Sequence, residues 1–150
     1  MAHQALIDGR GELTQAELET VAAQLADKLD RPHVICLHGG LGAGKSTFAR
    51  AFLRAKGVTD DIPSPTFNLM QVYEGAGPKG SDIWHVDAYR LADPSEAEAL
   101  GLLDAFDTAL CLIEWPENLG NQLPPRCLHL HLALTDNDDL RRVALTQEAA

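Results

Sequence analysis

A chain of 150 residues can bury one substantial core, so a single domain over residues 1–150 is expected. Its apolar fraction of 45% and charged fraction of 23% are those of a globular protein and exclude a disordered chain or a coiled coil. The net charge of −10, with 22 acids against 12 lysines and arginines, argues against strong direct nucleic-acid binding, which needs clustered basic residues.

Met1 to Arg10 lacks the basic-then-apolar order of a secretory signal. No apolar run approaches the roughly 20 residues that cross a bilayer, so a cytoplasmic protein without membrane contact is expected. Thr14-Gln15-Ala16-Glu17 reads as a capping box. Leu18, Val21, Ala22, Leu25 and Leu29 then recur at helical spacing, and Arg31-Pro32 stops the helix. His33 to Leu37 reads as a buried parallel strand. A glycine loop follows, then a helix from about Lys45 to Lys56 that ends at Gly57. On that helix Arg50, Arg54 and Lys56 read as a solvated face.

Ser64-Pro65-Thr66 is a loop leading into a strand from Phe67 to Tyr73, and Gly75 to Gly80 a turn. Ile83 to Val86 is another strand. Asp93-Pro94-Ser95-Glu96 opens a helix to about Leu100, with Pro94 in its first turn. Ala109 to Ile113 is again apolar and strand-like. Leu128, Leu130, Leu132 and Leu134 alternate with His129, His131 and Ala133, and Val143 and Leu145 continue the pattern beyond a polar turn at Asp136 to Asp139. The expected fold class is α/β, with three layers, a largely parallel central sheet and a C-terminal antiparallel hairpin. Cys36, Cys111 and Cys127 are spaced too widely for a C-x-x-C metal or redox motif and sit in apolar runs, so they read as inert core thiols. His129 and His131 share a strand face without the other ligands a metal site would need, and with His85 they read as structural.

Gly39 to Ser46 reads G-G-L-G-A-G-K-S, a full match to the phosphate-loop pattern G-x-x-x-x-G-K-[ST]. At ordinary glycine frequency its four fixed positions coincide by chance in roughly one chain of this length in a hundred or fewer. Strand before and helix after lower that further. The chemistry answers a multiply charged anion. Glycines let successive backbone N–H groups turn inward, and the helix N-terminus adds partial positive charge. The expected nucleotide-binding residues are therefore Gly39, Gly40, Leu41, Gly42, Ala43, Gly44, Lys45, Ser46 and Thr47. Lys45 is expected on the β- and γ-phosphates and the Ser46 hydroxyl on Mg²⁺. No N-K-x-D guanine motif occurs, which favours ATP by default, with Leu13 to Glu17 a candidate adenine contact.

Such a loop needs a second carboxylate on a neighbouring strand. Asp87 follows Ile83-Trp84-His85-Val86, and Glu114 follows Leu110-Cys111-Leu112-Ile113. Strand carboxyl ends face the ligand crevice of an open α/β sheet, so both acids are candidates for catalysis and for Mg²⁺. From the residues alone, a structural carboxylate remains the alternative at each. Thr66 is a candidate switch hydroxyl for the metal, with an ordinary turn threonine as the alternative.

Four blocks then occur in order: H-G-G-L-G-A-G-K-S-T (His38 to Thr47), S-P-T-F (Ser64 to Phe67), H-V-D-A-Y-R-L (His85 to Leu91) and I-E-W-P-E (Ile113 to Glu117). Together they resemble the TsaE family, the ATPases of bacterial tRNA threonylcarbamoyladenosine biosynthesis, from about Leu13 to Val143. The resemblance implies that Lys45 and Ser46 serve phosphate and Mg²⁺ and that Thr66 is the switch-like threonine. Asp87 would be tied to ATP hydrolysis and Glu114 to Mg²⁺, with Trp115 as its neighbouring tryptophan. It further implies a weak, partner-dependent ATPase that docks on the TsaB–TsaD pair without transferring the threonylcarbamoyl group. Gly40 stands where a polar or acidic residue is common, and Ser46 where threonine is usual; serine keeps the hydroxyl.

Two other classes compete. A small-molecule kinase of this fold usually carries an arginine-bearing lid, and past Asp87 the chain offers only Arg90, Arg126, Arg141 and Arg142. A non-catalytic nucleotide sensor would keep ATP binding after loss of Asp87.

Overall fold

The structure is a computed structural model describing residues 11–40, 42–59, 70–91, 93, 95–125 and 127–147. The side chains of Arg90 and Gln147 are outside that description, as are Leu41, Pro94, Arg126 and the whole Ser64-Pro65-Thr66 loop.

Apolar runs bounded by turn residues become strands. They are β1 (Gly11–Leu13), β2 (His33–His38), β3 (Met70–Tyr73), β4 (Ile83–Asp87), β5 (Leu110–Glu114), β6 (Cys127–Leu134) and β7 (Arg141–Gln147). They form one sheet in the order β1-β7-β6-β2-β5-β4-β3. Pairing is parallel between β2 and β6, β2 and β5, and β4 and β5. It is antiparallel at both margins, where β7 joins β6 and β1, and β3 joins β4. The C-terminal hairpin thus extends the sheet through β6, which lies against β2. β5 is buried at every position, as a strand covered on both faces must be.

The helices are α1 (Gln15–Lys28), α2 (Lys45–Ala55), α3 (Ser95–Ala99) and α4 (Leu102–Thr108). α1 begins with the predicted box: Glu17 N–H donates to Thr14 Oγ1 at 3.2 Å, and Thr14 N–H donates to Glu17 Oε1 at 2.9 Å. Leu18, Val21 and Leu25 of α1 pack with Phe48, Phe52 and Leu53 of α2 against Ile35, Leu37, Leu112 and Leu130 of the sheet. The opposite sheet face, with Val34, Cys36, Cys111 and Ile113, is covered by Ala97, Leu102, Ala105 and Phe106. The result is the expected three layers.

The differences from the sequence reading are local. The expected helix near Glu96 stops at Ala99, because Gly101 adopts φ +82° and starts a second helix, α4. The segment Pro116–Gln122 is a 3₁₀ stretch across a kink at Gly120, and β1 is a short margin strand. The part of the expected Phe67–Tyr73 strand before Met70 lies outside the described residues.

Phe52 is fully buried between α1, α2 and the sheet. Phe52→Ala should therefore lower the free energy of unfolding by about 3–5 kcal/mol, read from urea denaturation.

Candidate functional site

The site begins where β2 ends. Gly39 has φ +153°, and a Cβ there would lie 2.6 Å from the carbonyl oxygen of Leu132, so only glycine lets the chain turn beside β6. Gly44, at φ +111°, caps α2 in the left-handed conformation and makes no side-chain cap hydrogen bond. The leading N–H groups of a helix end without a side-chain cap can receive an anion. At Gly40 an added Cβ meets nothing within 4 Å, so the loop has room for the larger residue common at that position in the family it resembles.

Lys45 turns back over this loop. Its Nζ donates to the Gly39 carbonyl at 2.7 Å and sits 3.6 Å from the centroid of the Trp115 ring. An ammonium this close to an aromatic face is held by the ring's quadrupole. The side chain is only 6% exposed. Burial lowers its pKa, and the negative charges of Glu114, Asp87 and Glu117 oppose that fall.

Parallel pairing of β4 with β5 sets Asp87 beside Glu114 in register. Both are at the strands' carboxyl ends and both are buried. Each has one oxygen committed inward. Asp87 Oδ1 accepts from Tyr89 N–H at 3.0 Å, and Glu114 Oε2 accepts from His85 Nε2–H at 2.7 Å. Burial raises the Asp87 pKa, the Tyr89 N–H pulls it back and Glu114 pushes it up again. His85 is thus a buried partner of Glu114, with Nδ1 unpaired among the described residues.

Lys45, Ser46, Thr47, Gly42, Gly44, Asp87, Glu114 and Trp115 line one cleft of about 690 Å³, within the usual range for a small-molecule site. Thr14, Gln15, Ala16 and Leu18 line it from α1 and its N-cap. This brings the candidate adenine segment and the phosphate loop to one cavity. Gly39 and Gly40 shape the loop from behind, and Ala43 is buried in the core with its N–H donated to Gly40 O. Leu41 and Thr66 lie outside the described residues.

Some cleft residues escaped the sequence reading. Asp138, Asp139 and Arg141 reach it from the β6–β7 hairpin, because β6 runs beside β2. His85 and the seat of Lys45 on Trp115 were also missed. The available signal for His85 was its spacing: two residues before Asp87 it must share that residue's sheet face.

Comparisons with known proteins identify the family. Residues 13–143 match the family model described as "Threonylcarbamoyl adenosine biosynthesis protein TsaE". The tRNA threonylcarbamoyladenosine biosynthesis protein TsaE of Haemophilus influenzae is 40% identical over 113 residues, which are 75% of this chain and 68% of that protein. Its namesake from Rickettsia bellii is 37% identical over 136 residues, 90% of this chain and 92% of that one. Among solved structures, Bacillus subtilis YdiB superposes with a TM-score of 0.70 at 25% identity, covering 93% of this chain and 88% of its own.

The raised pKa of Asp87 has a stability consequence. A carboxyl that ionises less readily folded than unfolded stabilises the fold when protonated, and this is lost as pH rises from the ordinary carboxylate range through its folded pKa. Asp87→Asn keeps the oxygen that accepts from Tyr89 and removes the charge. Its melting temperature should exceed that of the parent at pH 7, and the gap should close as pH falls below about 4.

Proposed function

The chain belongs to the TsaE family of tRNA threonylcarbamoyladenosine biosynthesis, and from that footing we propose that it is a Mg²⁺-dependent ATP-binding protein and weak ATPase that docks on a TsaB–TsaD pair. One observation carries the reading: Lys45 is seated over a glycine loop, in a single cleft with two buried strand-end acids.

The residues suit a metal–triphosphate. An uncapped helix N-terminus and an ammonium receive anionic oxygens, while Ser46 and two carboxylates supply the hard oxygens that Mg²⁺ prefers. When bound, Mg²⁺ would neutralise charge developing on the β- and γ-phosphate oxygens. Lys45 would exchange the Gly39 carbonyl for phosphate oxygen and stabilise the same charge. Ser46 and Glu114 are assigned to the metal, since Glu114 has Oε2 fixed by His85 and Oε1 left for the cleft. Asp87, whose pKa is raised by burial, is assigned to orient the attacking water in line with the leaving oxygen. The Ser46 hydroxyl keeps the chemistry that threonine would bring. Thr66 remains part of the proposal on its resemblance alone.

A kinase reading finds little support in the cleft. Arg141 is the arginine that lines it among the described residues, and its Nη1 is spent on the carbonyls of Asp138 and Leu140. The protein's acidity fits an accessory that leaves tRNA contact to its partners.

Phosphate release decides the matter. The purified chain with TsaB and TsaD should hydrolyse ATP in a Mg²⁺-dependent manner, and Lys45→Ala should lose most of that activity, on the order of 10²-fold. Equal phosphate release by the parent and Lys45→Ala would refute the assignment.

A further inference from the structure

The sheet face opposite the acids carries a second group of reactive side chains. β2 and β6 run parallel in a register that sets Cys36 beside His129, His38 beside His131 and Val34 beside Cys127. Alternation puts Cys36 and His38 of β2, and Cys127, His129 and His131 of β6, on that one face. Lys45, Asp87 and Glu114 lie against the other. One ligand atom each from Cys36, Cys127 and His129 falls within 4.8 Å of the other two. Both thiols are buried, whereas His129 is only half-buried, so the group has an outlet toward solvent.

We propose that Cys36, Cys127 and His129 form a binding site for a thiophilic divalent cation of the Zn²⁺ class. Two sulfurs and one imidazole nitrogen are the donor set that selects such an ion over Mg²⁺, which takes oxygen. Tetrahedral bonds of ordinary length to Zn²⁺ would set these donors about 3.6–3.8 Å apart, so the cluster need contract by only about 1 Å. Water completes the fourth position from the His129 side.

The surroundings fit this role. His38 Nε2 lies 2.7 Å from His129 Nδ1, and the His38 ring stacks on His131 at 4.5 Å between centroids. His38 is thereby a positioning residue that fixes the ring of a ligand. Cys127 Sγ donates to the Pro124 carbonyl at 3.1 Å, and that proton must be surrendered. Binding M²⁺ therefore converts two thiols to thiolates and releases two protons to solvent, with no change in oxidation state. Cys111 makes the contrast. Its thiol faces Ala105 O of α4 and burial pushes it up to about 12, as suits an inert core cysteine.

Bound there, the ion would brace β2 against β6 directly beneath the phosphate loop, since His38 immediately precedes Gly39. The site is independent of the ATPase reading and can be tested without nucleotide.

The full chain, reduced, stripped with chelator and kept anaerobic, is titrated with Co²⁺ and followed by absorption. A thiolate-to-cobalt charge-transfer band should grow with tetrahedral d–d bands, saturate at one equivalent, withstand excess Mg²⁺ and disappear on adding Zn²⁺. Cys36→Ser and Cys127→Ser should each weaken the band, and His38→Ala should reduce Co²⁺ affinity by about 10–100-fold with the band intact. Absence of the band in the folded parent overturns the proposal, whatever the variants do. So does Co²⁺ uptake without thiolate character, or a band unchanged in both serine variants.

Discussion

An ammonium group held out of water organises this molecule's candidate site. Lys45 is buried at the mouth of a helix that has no capping side chain, over a loop whose glycines give up their side chains to let the backbone turn. A buried cation needs partners, and it has three kinds: the Gly39 carbonyl, the Trp115 face and the negative charges of Glu114, Asp87 and Glu117. Those partners come from three different strand ends, so the site exists only if the sheet order and register are right. The two acids have the mirror-image difficulty. Each spends one oxygen on a fixed donor, Tyr89 N–H or His85 Nε2–H, and turns its charge toward the cleft.

Much of the fold was legible because its signals are short-range. The Thr14–Glu17 box, the 3.6-residue spacing of α1 and the unbroken apolar stretch of β5 each report a local preference that burial reinforces. The phosphate loop was legible for a different reason: its glycines, lysine and serine meet the demands of an anion within eight consecutive positions. Less was legible where short elements depend on their surroundings. α4 has seven residues, too few for a clear helical period, and is set by Gly101 and by the sheet face it covers. β1 is three residues whose pairing with β7 gives them their conformation.

The same distinction governs the side chains. Asp87 and Glu114 could be singled out because each ends an apolar run, but the bond from His85 to Glu114 joins residues 29 positions apart. The contact between His38 and His129 spans 91 positions and exists only because β6 lies beside β2. Reading His129 and His131 along one strand showed no further ligands, and reading the cysteines by spacing showed no motif. Parallel pairing supplied both. Thr66 and Leu41, which lie outside the described residues, rest on the sequence pattern and on the family to which the chain belongs.

The proposed function turns on Lys45, which sits on the Gly39 carbonyl and the Trp115 face and would turn to the phosphates of a bound nucleotide. A crystal structure of the chain with Mg²⁺ and a non-hydrolysable ATP analogue tests this most directly. The account predicts Lys45 Nζ moved from Gly39 O onto β- and γ-phosphate oxygens, with Ser46 Oγ about 2.0–2.1 Å from the metal and Glu114 on the metal or its water. A nucleotide bound elsewhere, or bound in the cleft with Lys45 still on the Gly39 carbonyl, would contradict it.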